Sequence, residues 1–124
     1  MTKEELVKYC KSIGLVECNK PTTKELVRIT ESFRFPSELT DKLDFIAAYD
    51  DCSNQVLLAD KCYVNEYDLM SPIRMLGQIT TSNLSDEAIM DRIDELTKDV
   101  TENILFIKYR NMKKRITKLN GDFN

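Results

Sequence analysis

Between Ser85 and Leu119 the chain contains neither proline nor glycine. That uninterrupted stretch predicts a helix of about 34 residues, ~51 Å long at 1.5 Å per residue, which outruns a compact domain of this size. Its apolar residues fall into two runs. Ile89, Ile93, Leu96 and Val100 alternate steps of four and three, and Leu105, Tyr109, Met112, Ile116 and Leu119 do the same in a shifted register that reaches Phe123 one step later. A step of five separates the runs, at the apolar stretch Ile104-Leu105-Phe106-Ile107. Such a step turns the seam, so the pattern predicts a coiled-coil-like helix that serves two partners, or one stuttered coiled coil.

Charge on this helix is polarised. Residues 86–102 carry seven acids against Arg92 and Lys98, about −5, whereas residues 103–120 carry Lys108, Arg110, Lys113, Lys114, Arg115 and Lys118 with no acid, +6. Acids early and bases late complement the helix dipole, but the dipole acts only over the terminal turns. A polarity this long also bears on the choice of partner: an antiparallel pair of such helices matches opposite charges, and a parallel pair opposes like ones.

The remainder of the chain reads as shorter helices. Thr2-Lys3-Glu4-Glu5 and Thr22-Thr23-Lys24-Glu25 are capping boxes. The first precedes Leu6, Tyr9, Cys10 and Ile13 at helical spacing, with Gly14 as a stop, and the second precedes Leu26, Ile29 and Phe33. Pro36 ends that helix, and Ser37 caps another with Leu39, Leu43, Ile46 and Ala47 on one face. Residues 52–70 have no clean period: Val56-Leu57-Leu58-Ala59 and Cys62-Tyr63-Val64 fit a buried helix or a short strand pair, with helix preferred. Ser71-Pro72 opens a short helix through Ile73, Leu76 and Ile79, and Thr80 to Leu84 is turn-like. The expected fold is therefore all-α, about two-thirds or more helical. It comprises a small helical bundle over residues 1–84 and a long C-terminal helix over 85–124 for packing and assembly.

Glu5-Leu6, Gly14 eight positions after Leu6, and Thr22-Thr23-Lys24-Glu25-Leu26 resemble the helix, extended loop and helix of LEM and SAP modules. Those modules bind a chromatin protein and DNA respectively, so the resemblance implies one of these as partner. It covers about a quarter of the chain. The loop lacks the Gly-Pro of LEM modules and is about two residues longer than that of SAP modules, and the chain is assigned to neither.

Composition excludes several chemistries. The sequence has no histidine, which removes imidazole-based triads and His-containing zinc sets. Gly14, Gly77 and Gly121 are isolated and no Gly-Lys-Ser/Thr occurs, so no phosphate loop is present. Cys10, Cys18, Cys52 and Cys62 fit neither a C-x-x-C pair nor a zinc ribbon, and reduced structural thiols are expected. Asp50, Asp51, Asp60, Glu66 and Asp68 make the middle of the chain acidic without the spacing of a calcium loop; a face for a basic partner is the better reading. The longest apolar runs have four members, so neither a signal peptide nor a membrane span is expected, and the chain is placed in the cytoplasm or nucleus. No cofactor, no metal and no catalytic residue is expected.

These features point to a non-catalytic helical interaction module, an adaptor, scaffold or inhibitor. It would assemble with a second copy or a helical protein partner through Ile89, Ile93, Leu96, Val100, Leu105, Tyr109, Met112, Ile116 and Leu119, with Lys108, Arg110, Lys113, Lys114, Arg115 and Lys118 as basic partner contacts. The alternative is a small nucleic-acid-associated or transcription-regulatory protein that uses its first two helices or the basic C-terminal segment. A small enzyme working with carboxylates alone stands third, since nothing orders them into a pair.

Overall fold

The structure, a computed structural model, describes residues 1–18 and 29–122. In chain order the elements are α1 (Lys3–Ser12), β1 (Val16–Glu17), β2 (Ile29–Arg34), β3 (Ala47–Asp50), β4 (Gln55–Val64), β5 (Ile73–Thr80) and α2 (Asp86–Asp122). All neighbouring strands pair antiparallel, and the sheet order follows the sequence, β1-β2-β3-β4-β5. The protein is thus mixed α/β and not all-α, and among the described residues the helical bundle expected over residues 1–84 is replaced by one helix and a sheet.

Both helices that local signals announce most strongly are present. At α1 the capping box forms as its spacing requires: the Glu5 N–H donates to Thr2 Oγ1 at 3.2 Å and the Thr2 N–H to Glu5 Oε1 at 3.4 Å. Leu6 and Cys10 are its buried residues, and Gly14 follows at φ +87°, a left-handed position that suits glycine. At α2 the Ser85 hydroxyl accepts the Ala88 N–H, and the helix then runs 37 residues, about 55 Å.

Three expected helices, and the described end of a fourth, give way to strands and turns. The box at Thr22 and Leu26 lie outside the described residues, as does most of the second helix of the LEM and SAP resemblance, but Ile29 and Phe33 of the same stripe belong to β2. Leu39 and Leu43 lie in turns, and Ile46 and Ala47 enter the sheet, where the Ile46 N–H donates to the Phe33 carbonyl and the Ala59 N–H to that of Ile46. Val56 to Ala59 form the first half of β4 and are buried without interruption, since Val56 and Leu58 face the helices while Leu57, paired with Ala48, is buried on the other side. A fully buried strand shows no alternation, which makes it indistinguishable by period from a buried helix. Ser71-Pro72 begins a strand, not a helix, and β5 carries Ile73, Leu76 and Ile79.

The connection between β2 and β3 ties the sheet to its far edge. The Ile73 N–H donates to the Leu39 carbonyl, and Asp44 Oδ2 accepts both Arg74 Nε at 2.8 Å and the Met75 N–H at 3.1 Å. Asp44 thereby satisfies an edge-strand amide and neutralises Arg74, and the Asp44 bond and charge hold the Arg74 guanidinium above its ordinary value.

One apolar cluster holds the elements together. Leu6 and Cys10 of α1 meet Phe33, Val56, Leu58 and Ile73 of the sheet and Ile89, Ile93, Leu96, Val100, Ile104 and Ile107 of α2. The two helices are further joined by the Tyr9 hydroxyl, which donates to Asp94, and the Arg92 guanidinium donates to the Asp60 carbonyl on β4.

Candidate interaction surfaces

The core stripe of α2 ends at Ile107. Continued in the same steps of four and three it lands on Asn111, Lys114 and Lys118, all exposed, and every residue from 111 to 118 is exposed. The last turns of α2 therefore extend past the packed fold. On another face of this segment Leu105, Tyr109, Met112 and Ile116 remain between 50% and 61% exposed. At 3.6 residues per turn this seam lies roughly 150° around the helix from the core stripe, so it looks away from the sheet. Its spacing of four, three and four is that of a heptad seam, with Leu105 and Met112 at d and Tyr109 and Ile116 at a. The flanking e and g positions are then Phe106, Lys108, Lys113 and Arg115.

The interface residues expected from sequence separate accordingly. Ile89, Ile93, Leu96 and Val100 are buried in the intramolecular core, so the sheet is what the first run serves. Leu105, Tyr109, Met112 and Ile116 share the outward seam, while the Leu119 side chain lies outside the described residues. Of the bases, Lys108, Lys113, Lys114, Arg115 and Lys118 are exposed. Arg110 is half-buried: its Nη1 donates to Glu66 Oε1 at 3.2 Å and its guanidinium sits 5.9 Å from the Phe106 ring centroid, fastening the helix to the β4–β5 connection.

A second exposed apolar surface was not legible in the sequence. Tyr67, Leu69 and Met70, at the tip between β4 and β5, are 82% to 97% exposed. The tip is held from beneath: Asn65 Oδ1 accepts the Tyr67 N–H, Asp68 Oδ1 accepts the Met70 and Ser71 N–H groups, and Arg74 reaches Asp68 Oδ2 at 3.4 Å. The Ser71 N–H above all keeps the Asp68 carboxyl below its ordinary range. Met70 also lines an open groove of about 820 Å³ with Val16, Arg34 and Leu43. Asn65 and Asp68, both turn formers, were the signal for this hairpin.

The acids of the middle segment are dispersed. Asp50 Oδ1 accepts the Cys52 and Ser53 N–H groups in the β3–β4 turn, Asp51 pairs with Lys3, Asp60 lies on β4, Glu66 meets Arg110 and Asp68 meets Arg74. Among the described residues no group of three or more cysteines or acids is placed to hold a metal ion, and no helix is long and apolar enough to cross a membrane. All four cysteines are free. Burial pushes the Cys10 thiol up to about 12 and raises those of Cys18 and Cys62, the last accepting the Asn103 amide at 3.2 Å. Thiols held protonated in this way are poor nucleophiles.

Comparison of the chain with protein-family models, with curated proteins and with solved structures found no match in any of the three.

Proposed function

We propose that the protein is a non-catalytic interaction module, an adaptor, scaffold or inhibitor, that docks a partner helix along the outward seam of α2. The observation that carries this reading is the seam itself: Leu105, Tyr109, Met112 and Ile116, each at least half exposed, aligned at heptad spacing on a segment that leaves the fold. A strict a/d stripe is narrower than the apolar face with which a helix lies on a sheet or a bilayer, and it suits another helix. The core does not need these residues, since Ile104 and Ile107 already complete it. Free thiols at four positions accord with a reducing compartment, the cytoplasm or nucleus.

The test is a variant carrying Met112→Glu and Ile116→Glu. It should lose its complexes, read by recovery of partner proteins with the full chain from cells, while its melting temperature and circular dichroism stay those of the wild type. A variant that keeps every complex, or that unfolds, overturns the proposal.

A second reading has its own observation. Lys114 and Lys118 lie on the side of α2 away from the seam, with Arg115 at its border, where they fit a phosphate backbone. It requires duplex binding that falls steeply with salt and is indifferent to Ile116→Glu.

A further inference from the structure

From the charge that borders the seam we infer that its occupant is a different protein, presenting a helix with an apolar seam and acidic flanks, and not a second copy of this chain. The inference rests on the docking role proposed above. The g positions beside the seam are Lys108 and Arg115 and the e positions are Phe106 and Lys113; the rest of the segment adds Lys114 and Lys118, and residues 103–120 contain no acid. In coiled coils the e and g side chains face those of the partner and select it by charge. Two copies paired seam to seam would set Lys108, Lys113 and Arg115 against the same three residues, in the parallel and the antiparallel arrangement alike.

The acidic half of α2 does not resolve this conflict. Carried backward in its own register, the seam meets Glu102, Lys98, Glu95 and Asp91, and the apolar residues of that half, Ile89, Ile93, Leu96 and Val100, are buried beneath the sheet. A second copy slid along far enough to match charge would therefore lay its apolar seam on charged residues. The chain offers itself an apolar seam with the wrong charge or the right charge without a seam. Arg110 is already engaged by Glu66, so the selecting charges are Lys108, Lys113 and Arg115.

Two designed helical peptides test this, both with leucine at a and d, one with glutamate at e and g and the other with lysine there. Each repels itself and stays monomeric. The full-length chain should sediment as a monomer and bind the glutamate peptide, by fluorescence anisotropy, at least about tenfold more tightly than the lysine peptide, with the preference shrinking as salt is added. Lys113→Glu combined with Arg115→Glu should reverse the preference. Ile116→Glu should abolish binding of both peptides. A wild-type dimer that Ile116→Glu dissociates would overturn the choice of partner and leave the docking seam standing. Equal affinity for the two peptides would likewise overturn the charge selection alone. If neither peptide binds and the chain does not self-associate, the seam is not a docking site and both proposals fall.

Discussion

The two faces of α2 should respond differently to the same truncation. Ile93 is 0% exposed, enclosed by α1 and the sheet, whereas Ile116 is 50% exposed on the outward seam. Replacing Ile93 by alanine removes apolar atoms that are wholly withdrawn from water and leaves a cavity in a cluster that rigid strands cannot collapse to fill; the expected cost is about 3 kcal/mol. Domains of this size have roughly 5–15 kcal/mol of stability, so the loss is a large share and should lower the melting temperature by about 10 °C. Ile116→Ala gives up contact with solvent on one side and only neighbouring turns on the other, and alanine's higher helix propensity offsets a few tenths of a kcal/mol; the net should stay within about 0.5 kcal/mol. Urea unfolding followed by far-ultraviolet circular dichroism measures both, on the isolated chain at low concentration. Equal losses of about 2 kcal/mol or more at the two positions would place the seam inside the intramolecular fold and refute the reasoning. A loss below about 1 kcal/mol at Ile93 would refute the core as described.

Two further outcomes follow from single positions. Gly77 adopts φ +68°, and a Cβ there would stand 3.3 Å from Asp60 Cβ, so Gly77→Ala should destabilise by about 1–2 kcal/mol in urea unfolding; a neutral result would mean that β5 does not hold that conformation. Cys10 is raised from 9.0 to about 12 by burial and Tyr9 from 10.0 to about 12, first by burial and then by its bond to Asp94. The unfolded chain releases both protons earlier, so their contribution is intact below about pH 9 and declines as pH rises toward 12. Cys10→Val should flatten that alkaline limb, and alkylation followed by mass spectrometry should find Cys52 modified first and Cys10 last; equal rates would contradict the burial of Cys10.

What the sequence determined by itself was local. Thr2 and Glu5 satisfy each other's backbone amides within one turn, Gly14 supplies a left-handed stop, and Ser85 followed by an unbroken run of helix-compatible residues marks α2 from local signals alone. The spacing of the seam was legible for the same reason, because the step of five between Val100 and Leu105 is a property of the chain alone. The strands were decided elsewhere. Val56 to Ala59 become part of β4 because Ala47 to Tyr49 on one side and Thr80 to Gln78 on the other supply ladder partners for them, and those partners are themselves strands only in its presence. Turn chemistry at Asp50 to Asn54 and at Asn65 to Asp68 marked two hairpins, yet Asp and Asn also begin and end helices, so these signals did not choose between the alternatives. Which apolar run of α2 lies under a cover and which faces solvent was likewise settled only by the sheet, whose apolar face, among the described residues, reaches Ile107 and no farther. Helix caps and periods are energies of neighbours in sequence, whereas strand pairing and burial are energies of neighbours in space. A period of 3.6 residues can be read from the chain, but the surface that meets it exists only once the distant strands have assembled.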